Sequence, residues 1–185
     1  MANSLSDGEA ARRLQRGDEA ALIALYDRYE ARVFRFAVRL LGRVEEAEDV
    51  VAETFLQAFR CARDYRAEGT FSGWLFRIAR NLCFDRMRSP RRYRMISLDE
   101  LLGEGDEPPR GDAAPDWTLS AAVQEALQQL PSDYRTVLTL RDLDGFSNSE
   151  AAAALGRSPS ATKSLHFRAR QALRDALARA LGREE

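Results

Sequence analysis

Histidine and cysteine are nearly missing from this chain of 185 residues, which holds one histidine, His166, and two cysteines, Cys61 and Cys83. They form no CxxC, HExxH or other ligand cluster, so a zinc site is excluded and no metal-binding residue can be named. A Ser–His catalytic triad would have to use His166, which stands in a run of arginines and is assigned no role. The 11 glycines never form GxGxxG, nor GxxxxGK followed by Ser or Thr. No phosphate-cradling loop is therefore visible. No run approaches the roughly 18 apolar residues of a membrane helix. The N-terminal MANSLSDGEAARRLQRGDE lacks the apolar core of a secretory signal. These absences predict a cytoplasmic protein with no membrane insertion, no catalytic residues and no cofactor. Cys61 and Cys83 are expected to be core thiols rather than a disulfide.

Lysine is almost absent too. The 28 basic residues are arginine except for Lys163, and 29 acidic residues bring the net charge to −1. That sum hides a segregation into blocks. From Arg77 to Arg94 the chain carries Arg77, Arg80, Arg86, Arg88, Arg91, Arg92 and Arg94 against Asp85 alone. From Asp99 to Asp116 it carries Asp99, Glu100, Glu104, Asp106, Glu107, Asp112 and Asp116 against Arg110 alone. From Arg157 to Arg174 it is basic again without an acid. Two basic patches separated by an acidic tether suggest two surfaces for a polyanion.

With hydrophobic residues at 45%, the chain can build packed cores. Residues 89–116 collect Pro90, Pro108, Pro109, Pro115, Gly103, Gly105 and Gly111, a composition that disfavours regular structure. They read as a flexible acidic linker between an N-terminal domain, 1–88, and a C-terminal domain, 117–185. Both flanks show helical periodicity and no alternating β-branched runs, so the fold class is all-α: two small helical domains. In the first, Asp7–Arg16 is a short helix, and Asp18 caps a longer one to Leu41 whose stripe includes Leu22, Leu25, Tyr26, Tyr29 and Val33. A third, Val44–Arg63, turns Ala47, Val50, Val51, Thr54, Phe55, Ala58 and Phe59 inward. The fourth, Thr70–Met87, has Phe71, Trp74, Leu75 and Ile78 at helical spacing. In the second domain Leu119–Leu130, Ser132–Leu143 and Ser147–Leu155 are short helices. Ser147 and Glu150 form a capping box. Gly156 ends the third helix, and Ser158 with Pro159 starts a longer basic one. Short helix, glycine turn, long basic helix is the order of a helix-turn-helix.

The segment LPSDYRTVLTLRDLDGFSNSEAAAALGRSPSATKSLHFRARQAL resembles region 4 of bacterial sigma factors. EDVVAETFLQAFR followed by FSGWLFRIARNLCFDRMR resembles region 2. Both occur in order across residues 10–88 and 117–180, joined by a short linker. The chain thus resembles the extracytoplasmic-function (ECF) sigma factors, the minimal class of the sigma-70 superfamily. It departs from the usual pattern at Leu165, where arginine is common, and at Glu150-Ala151-Ala152, where Glu-Ile-Ala is usual. These departures bear on the sequence of the upstream promoter element it prefers.

On the last helix, Lys163, Ser164, Phe167 and Arg168 fall at i, i+1, i+4 and i+5, one side of a helix entering the major groove. There Arg168 can read a guanine bidentately, Phe167 can touch a thymine methyl and Lys163 can bind phosphate. The resemblance implies that these positions contact the −35 element, with Arg141 as a further DNA contact. It also implies that Asn81 contacts the −10 element and that the loop around Tyr65 and Arg66 cradles a flipped base; Arg77, Arg80 and Arg88 share the helix face of Asn81 and are expected to hold the backbone. Asp49, Glu53, Thr54 and Gln57 form a polar stripe on the third helix, which in relatives docks on the β′ clamp coiled coil of core RNA polymerase. The apolar face near Leu138, Leu155 and Leu173 serves either the β-flap tip or the domain's own core. For the acidic linker, the resemblance implies a path through the RNA channel of the polymerase, while composition alone gives a solubilising tether. An anti-sigma factor is an implied partner, beside duplex and single-stranded promoter DNA.

Two other functions fit parts of the chain. A LuxR-type activator shares the C-terminal helix order but has no place for the WLFRIARN helix. A nucleic-acid-processing enzyme needs a carboxylate or metal cluster, and none occurs at usable spacing.

Overall fold

The structure is a computed structural model that describes residues 5–66, 69–88 and 121–180. Every regular element among the described residues is helical. The first group is α1 (Asp7–Leu14), α2 (Glu19–Leu41), α3 (Val44–Arg60) and α4 (Phe71–Arg88). The second is α5 (Ala121–Gln129), α6 (Ser132–Leu138), α7 (Asn148–Leu155) and α8 (Pro159–Ala180). The linker expected at 89–116 lies outside the described residues.

Local chemistry sets most of the boundaries. Asp18 caps α2 by accepting from the amides of Ala20 and Ala21 at 3.0 and 3.3 Å, a contribution of about 1 kcal/mol. Thr70 does the same for α4, its Oγ1 accepting from the Gly73 amide at 3.2 Å. The third helix is shorter than its periodicity suggested. It stops at Arg60, and Ala62–Asp64 form one 3₁₀ turn. Likewise α6 is α-helical only to Leu138, after which Thr139–Leu143 widen into a π turn. That turn ends with the Asp144 amide donating to the Thr139 carbonyl and the Phe146 amide to that of Leu140, both at 2.9 Å.

Helices α2, α3 and α4 pack together through Leu25, Val33, Phe36, Leu40, Val50, Leu75 and Phe76, all buried. Each such side chain contributes roughly 1.5–3 kcal/mol of transfer free energy. Phe36 meets Phe76 edge-on with ring centroids 5.3 Å apart. Phe71, and Trp74 in part, belong to this core as well. So does Phe84, and so does Cys83, whose thiol burial pushes up to about 12. Cys61, expected in the core, is exposed; it sits where α3 has already ended.

The two groups do not stand apart. Their buried residues form one continuous cluster. Phe76 of α4 packs on Phe146 at 4.7 Å, and the Arg32 guanidinium lies over both rings. Arg39 of α2 pairs with Asp144 at 2.5 Å, both side chains over nine-tenths buried. Arg135 reaches back to donate to the Leu40 carbonyl at 2.6 Å. Charged side chains buried between the two groups hold them together here.

Candidate nucleic-acid interface

The C-terminal site is built on the α7–α8 turn. Ser147 accepts from the Glu150 amide at 3.2 Å, and Glu150 accepts from the Ser147 amide at 2.9 Å, closing the capping box. Burial pushes the Glu150 carboxyl up, but hydrogen bonds from Ser147 and Ser72 more than offset this and hold it below its ordinary value. At the other end of α7, Gly156 takes the left-handed conformation at φ 63°, where a side chain would be strained. The chain reverses there and Ser158 starts α8, its Oγ accepting from the Ala161 amide at 3.2 Å. Asn148 donates to the Pro159 carbonyl at 2.9 Å and ties the starts of the two helices together.

Helix α8 then divides cleanly. Thr162, Leu165 and Ala169 are buried against the rest of the half. Lys163, Ser164, Phe167 and Arg168 are all exposed. Phe167 leaves 67% of its surface in solvent, so its ring is a contact surface rather than a core element. Arg168 Nε touches only the Ser164 carbonyl of its own helix, at 3.4 Å. Leu165, which departs from the usual arginine, fills the core and takes nothing from the outer face. His166 points away from it and pairs with Asp142 at 2.8 Å. Arg141 is less free than the sequence suggested: its Nη1 donates to the Phe146 carbonyl, bracing the π turn. Leu138 and Leu155 are buried in the core, and Leu173, partly buried, packs against it.

On α4, Arg77, Asn81 and Arg88 are exposed along one stripe. Arg80 is not on it. Its side chain is 17% exposed, lies 3.5 Å from Asp133 and stacks over Phe84 at 4.5 Å. Burial pulls its pKa below the usual arginine value. Tyr65 also differs from a base-stacking surface. Its ring is buried against Phe71 and Trp74, and its hydroxyl donates to the Gly69 carbonyl at 3.3 Å. Arg66 beside it is exposed, while residues 67–68 of the loop lie outside the described ones.

Helix α3 presents Asp49, Glu53 and Gln57 outward, with Arg86 of α4 3.3 Å from Glu53 and 3.9 Å from Asp49. Thr54 does not belong to that stripe. It is fully buried and donates to the Val50 carbonyl at 2.6 Å, which satisfies its hydroxyl without water. Phe59, expected inside, is 36% exposed, and Tyr26 41%. With Leu22, Ile23, Phe55 and Leu56 they line an open apolar groove of about 340 Å³ between α2 and α3. The sequence held one signal for it: Ile23 and Leu56 are large apolar residues just off the core stripes of their helices.

Together these features define an all-helical protein with a helix-turn-helix whose last helix exposes a basic face, and with an acidic stripe on α3 and an apolar groove between α2 and α3. Comparison with known proteins narrows the class. The family model described as sigma-70 region 2 matches residues 25–93, and that described as sigma-70, region 4 matches 120–173. The chain is 32% identical over 186 residues to the RNA polymerase sigma-H factor of Pseudomonas aeruginosa, covering 96% of each. It is 40% identical over 171 residues to the ECF RNA polymerase sigma factor SigE of Mycolicibacterium smegmatis, covering 88% of this chain and 65% of that one. Among solved structures, CnrH in complex with the cytosolic domain of CnrY matches with TM-score 0.67 at 28% identity, covering 92% of this chain and 96% of that one. The sigma factor RpoE of Bartonella quintana, in complex with the anti-sigma factor NepR, matches with TM-score 0.60 at 29% identity over 80% of this chain and 90% of that one. The chain belongs to the ECF sigma factors of the sigma-70 family, the subunits that direct RNA polymerase to promoters.

Proposed function

We propose that this chain docks on core RNA polymerase through α3, reads the −35 element with α8 and holds the opened −10 element with α4. The outer face of α8 carries the proposal. A recognition helix needs side chains of mixed chemistry free on one side and a packed opposite side to aim them. Lys163, Ser164, Phe167 and Arg168 are free, and Thr162, Leu165 and Ala169 aim them. For docking, α3 presents the acidic residues Asp49 and Glu53 and also contributes Leu56 and Phe59 to an apolar groove, so a partner surface that carries both basic and apolar residues fits. An anti-sigma factor fits the same account, since two related chains are known in complexes, one with the cytosolic domain of CnrY and the other with the anti-sigma factor NepR. The chain itself carries out no chemistry; bond formation belongs to the polymerase.

Asn81 is the residue to test for the −10 role, because an exposed amide offers both a donor and an acceptor to a base edge. Holoenzyme carrying Asn81→Ala is compared with the parent on duplex, pre-melted bubble and single-stranded −10 probes. The proposal expects weaker single-strand binding and fewer open complexes, with −35 recognition intact. A bubble should restore only the part of the defect due to melting. Loss confined to the duplex probe would make Asn81 a duplex or packing residue.

A further inference from the structure

Helix α1 has no part in the surfaces described above, yet both of its ends are tied to other elements. Asp7 in its first turn accepts from Arg28 and Tyr29 of α2. Its inner face, Ala10, Ala11 and Leu14, is buried. Gln15, the residue that ends the helix, reaches across 50 positions of sequence: its Nε2 donates to the Tyr65 carbonyl at 2.7 Å. A glutamine at a helix end ordinarily turns its amide to water. This one is half-buried and directed at a single backbone oxygen.

The oxygen it holds stands at the entry to the 65–70 loop. The 3₁₀ turn Ala62–Asp64 closes with the Tyr65 amide donating to the Ala62 carbonyl at 3.1 Å. Tyr65 itself is already extended, at φ −65° and ψ 116°, so helical geometry supplies no partner for its carbonyl. Gln15 supplies one. That carbonyl belongs to the planar peptide joining Tyr65 to Arg66, and holding its oxygen fixes the direction in which the chain leaves the core at Arg66. Tyr65 is held from its side chain as well. Its ring packs on Phe71 and Trp74, and its hydroxyl donates to the Gly69 carbonyl at 3.3 Å. The contacts that remove Tyr65 as a stacking surface therefore make it the anchor of both ends of the loop. Arg66, next to the anchor, is exposed, and a guanidinium can bind a phosphate or stack on a base.

We propose that Gln15 is a positioning residue for capture of the −10 strand: from α1 it fixes the Tyr65–Arg66 peptide and so presents Arg66 to the unpaired strand. This rests on the reading that α4 and the loop before it hold the −10 element. A contact residue must be kept within about 0.5 Å of its productive place by the groups behind it, and a backbone ordered in advance loses less freedom on binding. Gln15 itself need not touch DNA. Its effect passes through Arg66.

The test uses holoenzyme assembled with the full chain carrying Gln15→Met, which keeps the length of the side chain and removes its donor. Folding is checked by circular dichroism. Anisotropy measures binding to a labelled −35 duplex and to single-stranded −10 DNA, both taken from a promoter that the parent holoenzyme opens. The expected result is strand binding weakened roughly two- to tenfold, the worth of one hydrogen bond. Binding to the −35 duplex and affinity for core polymerase stay unchanged. Coupling to Arg66 separates positioning from general support. If Gln15 acts through Arg66, Gln15→Met adds little to the loss caused by Arg66→Ala. An undiminished further loss on top of Arg66→Ala overturns the proposal. So does a folded Gln15→Met chain that binds the strand normally or loses both probes equally. If Gln15→Met does not fold, Gln15→Asn, one methylene too short to reach, is held to the same criteria. Asn81→Ala keeps the two ideas apart. If it weakens strand binding and Gln15→Met does not, the positioning role is wrong while the −10 assignment stands. If neither Asn81→Ala nor Arg66→Ala changes strand binding, the −10 assignment is wrong and the positioning role falls with it.

Discussion

Asp144→Ala tests how the halves are joined. Asp144 Oδ1 lies 2.5 Å from Arg39 Nη1, with side-chain exposures of 4% and 8%. Removing the carboxylate leaves a guanidinium buried and unpaired, a loss that costs about 3–5 kcal/mol. For a urea m-value of roughly 2 kcal/mol/M, the midpoint should fall by about 2 M. The pair need not be worth that much as a pair. Burial pushes the Asp144 carboxyl above its ordinary value despite Arg39, so desolvation outweighs the attraction at that carboxyl. Arg39→Met combined with Asp144→Leu should therefore recover most of the loss, since an apolar pair of similar volume is often as stable. The pH dependence follows the same sign. A raised carboxyl pKa contributes stability that is greatest below the unfolded value and is lost as pH rises through the folded value. Asp144→Asn should remove that slope. Urea titrations of the three variants, with exposed Glu48→Ala as a surface control, decide the matter. An Asp144→Ala midpoint no lower than that of the control would refute the reasoning.

Further outcomes follow from the same geometry. Arg168→Ala should relax preference at one −35 base pair at a cost of roughly 1–3 kcal/mol, whereas Lys163→Ala should weaken all sequences alike and lower the salt slope by about one. Holoenzyme binding to a −35 duplex library over a salt series distinguishes them. Thr54→Val should leave polymerase affinity unchanged, because Thr54 is buried, while Glu53→Lys should weaken it; a competition assay with the parent chain reads both. Glu150 has a lowered pKa, so its stabilisation is present above the unfolded value and lost as pH falls through the folded one. Hydrogen exchange of the α7 amides should accelerate across that acid window, and Glu150→Gln should shift or abolish the transition.

What could be read from the sequence was mainly what depends on near neighbours. Asp18, Ser147 with Glu150, Gly156 and Ser158 mark helix ends because their chemistry acts within three or four residues. The outer face of α8 was legible for the same reason: one helix, one period. Thr54 was harder, since it lies at the border between the polar and apolar stripes of α3 and a hydroxyl bonded to the carbonyl one turn back can sit on either side. Phe59 and Tyr26 misled in the opposite direction, because an apolar residue at a stripe's edge can be left outside. The junction between the halves was not legible. It is built from Arg39, Arg135 and Asp144, residue types that ordinarily mark a surface, brought together across about a hundred positions. Only Gly73, a glycine inside a helix, hinted that another backbone comes close.

Reconstituted initiation tests the central claim most directly. Core RNA polymerase, the purified chain, or both are incubated with a promoter library, and run-off transcripts are mapped. The account predicts specific start sites only when both components are present, and only weak, salt-sensitive binding of promoter DNA by the chain alone. Tight sequence-specific binding by the isolated chain, with no change in where the polymerase starts, would contradict it.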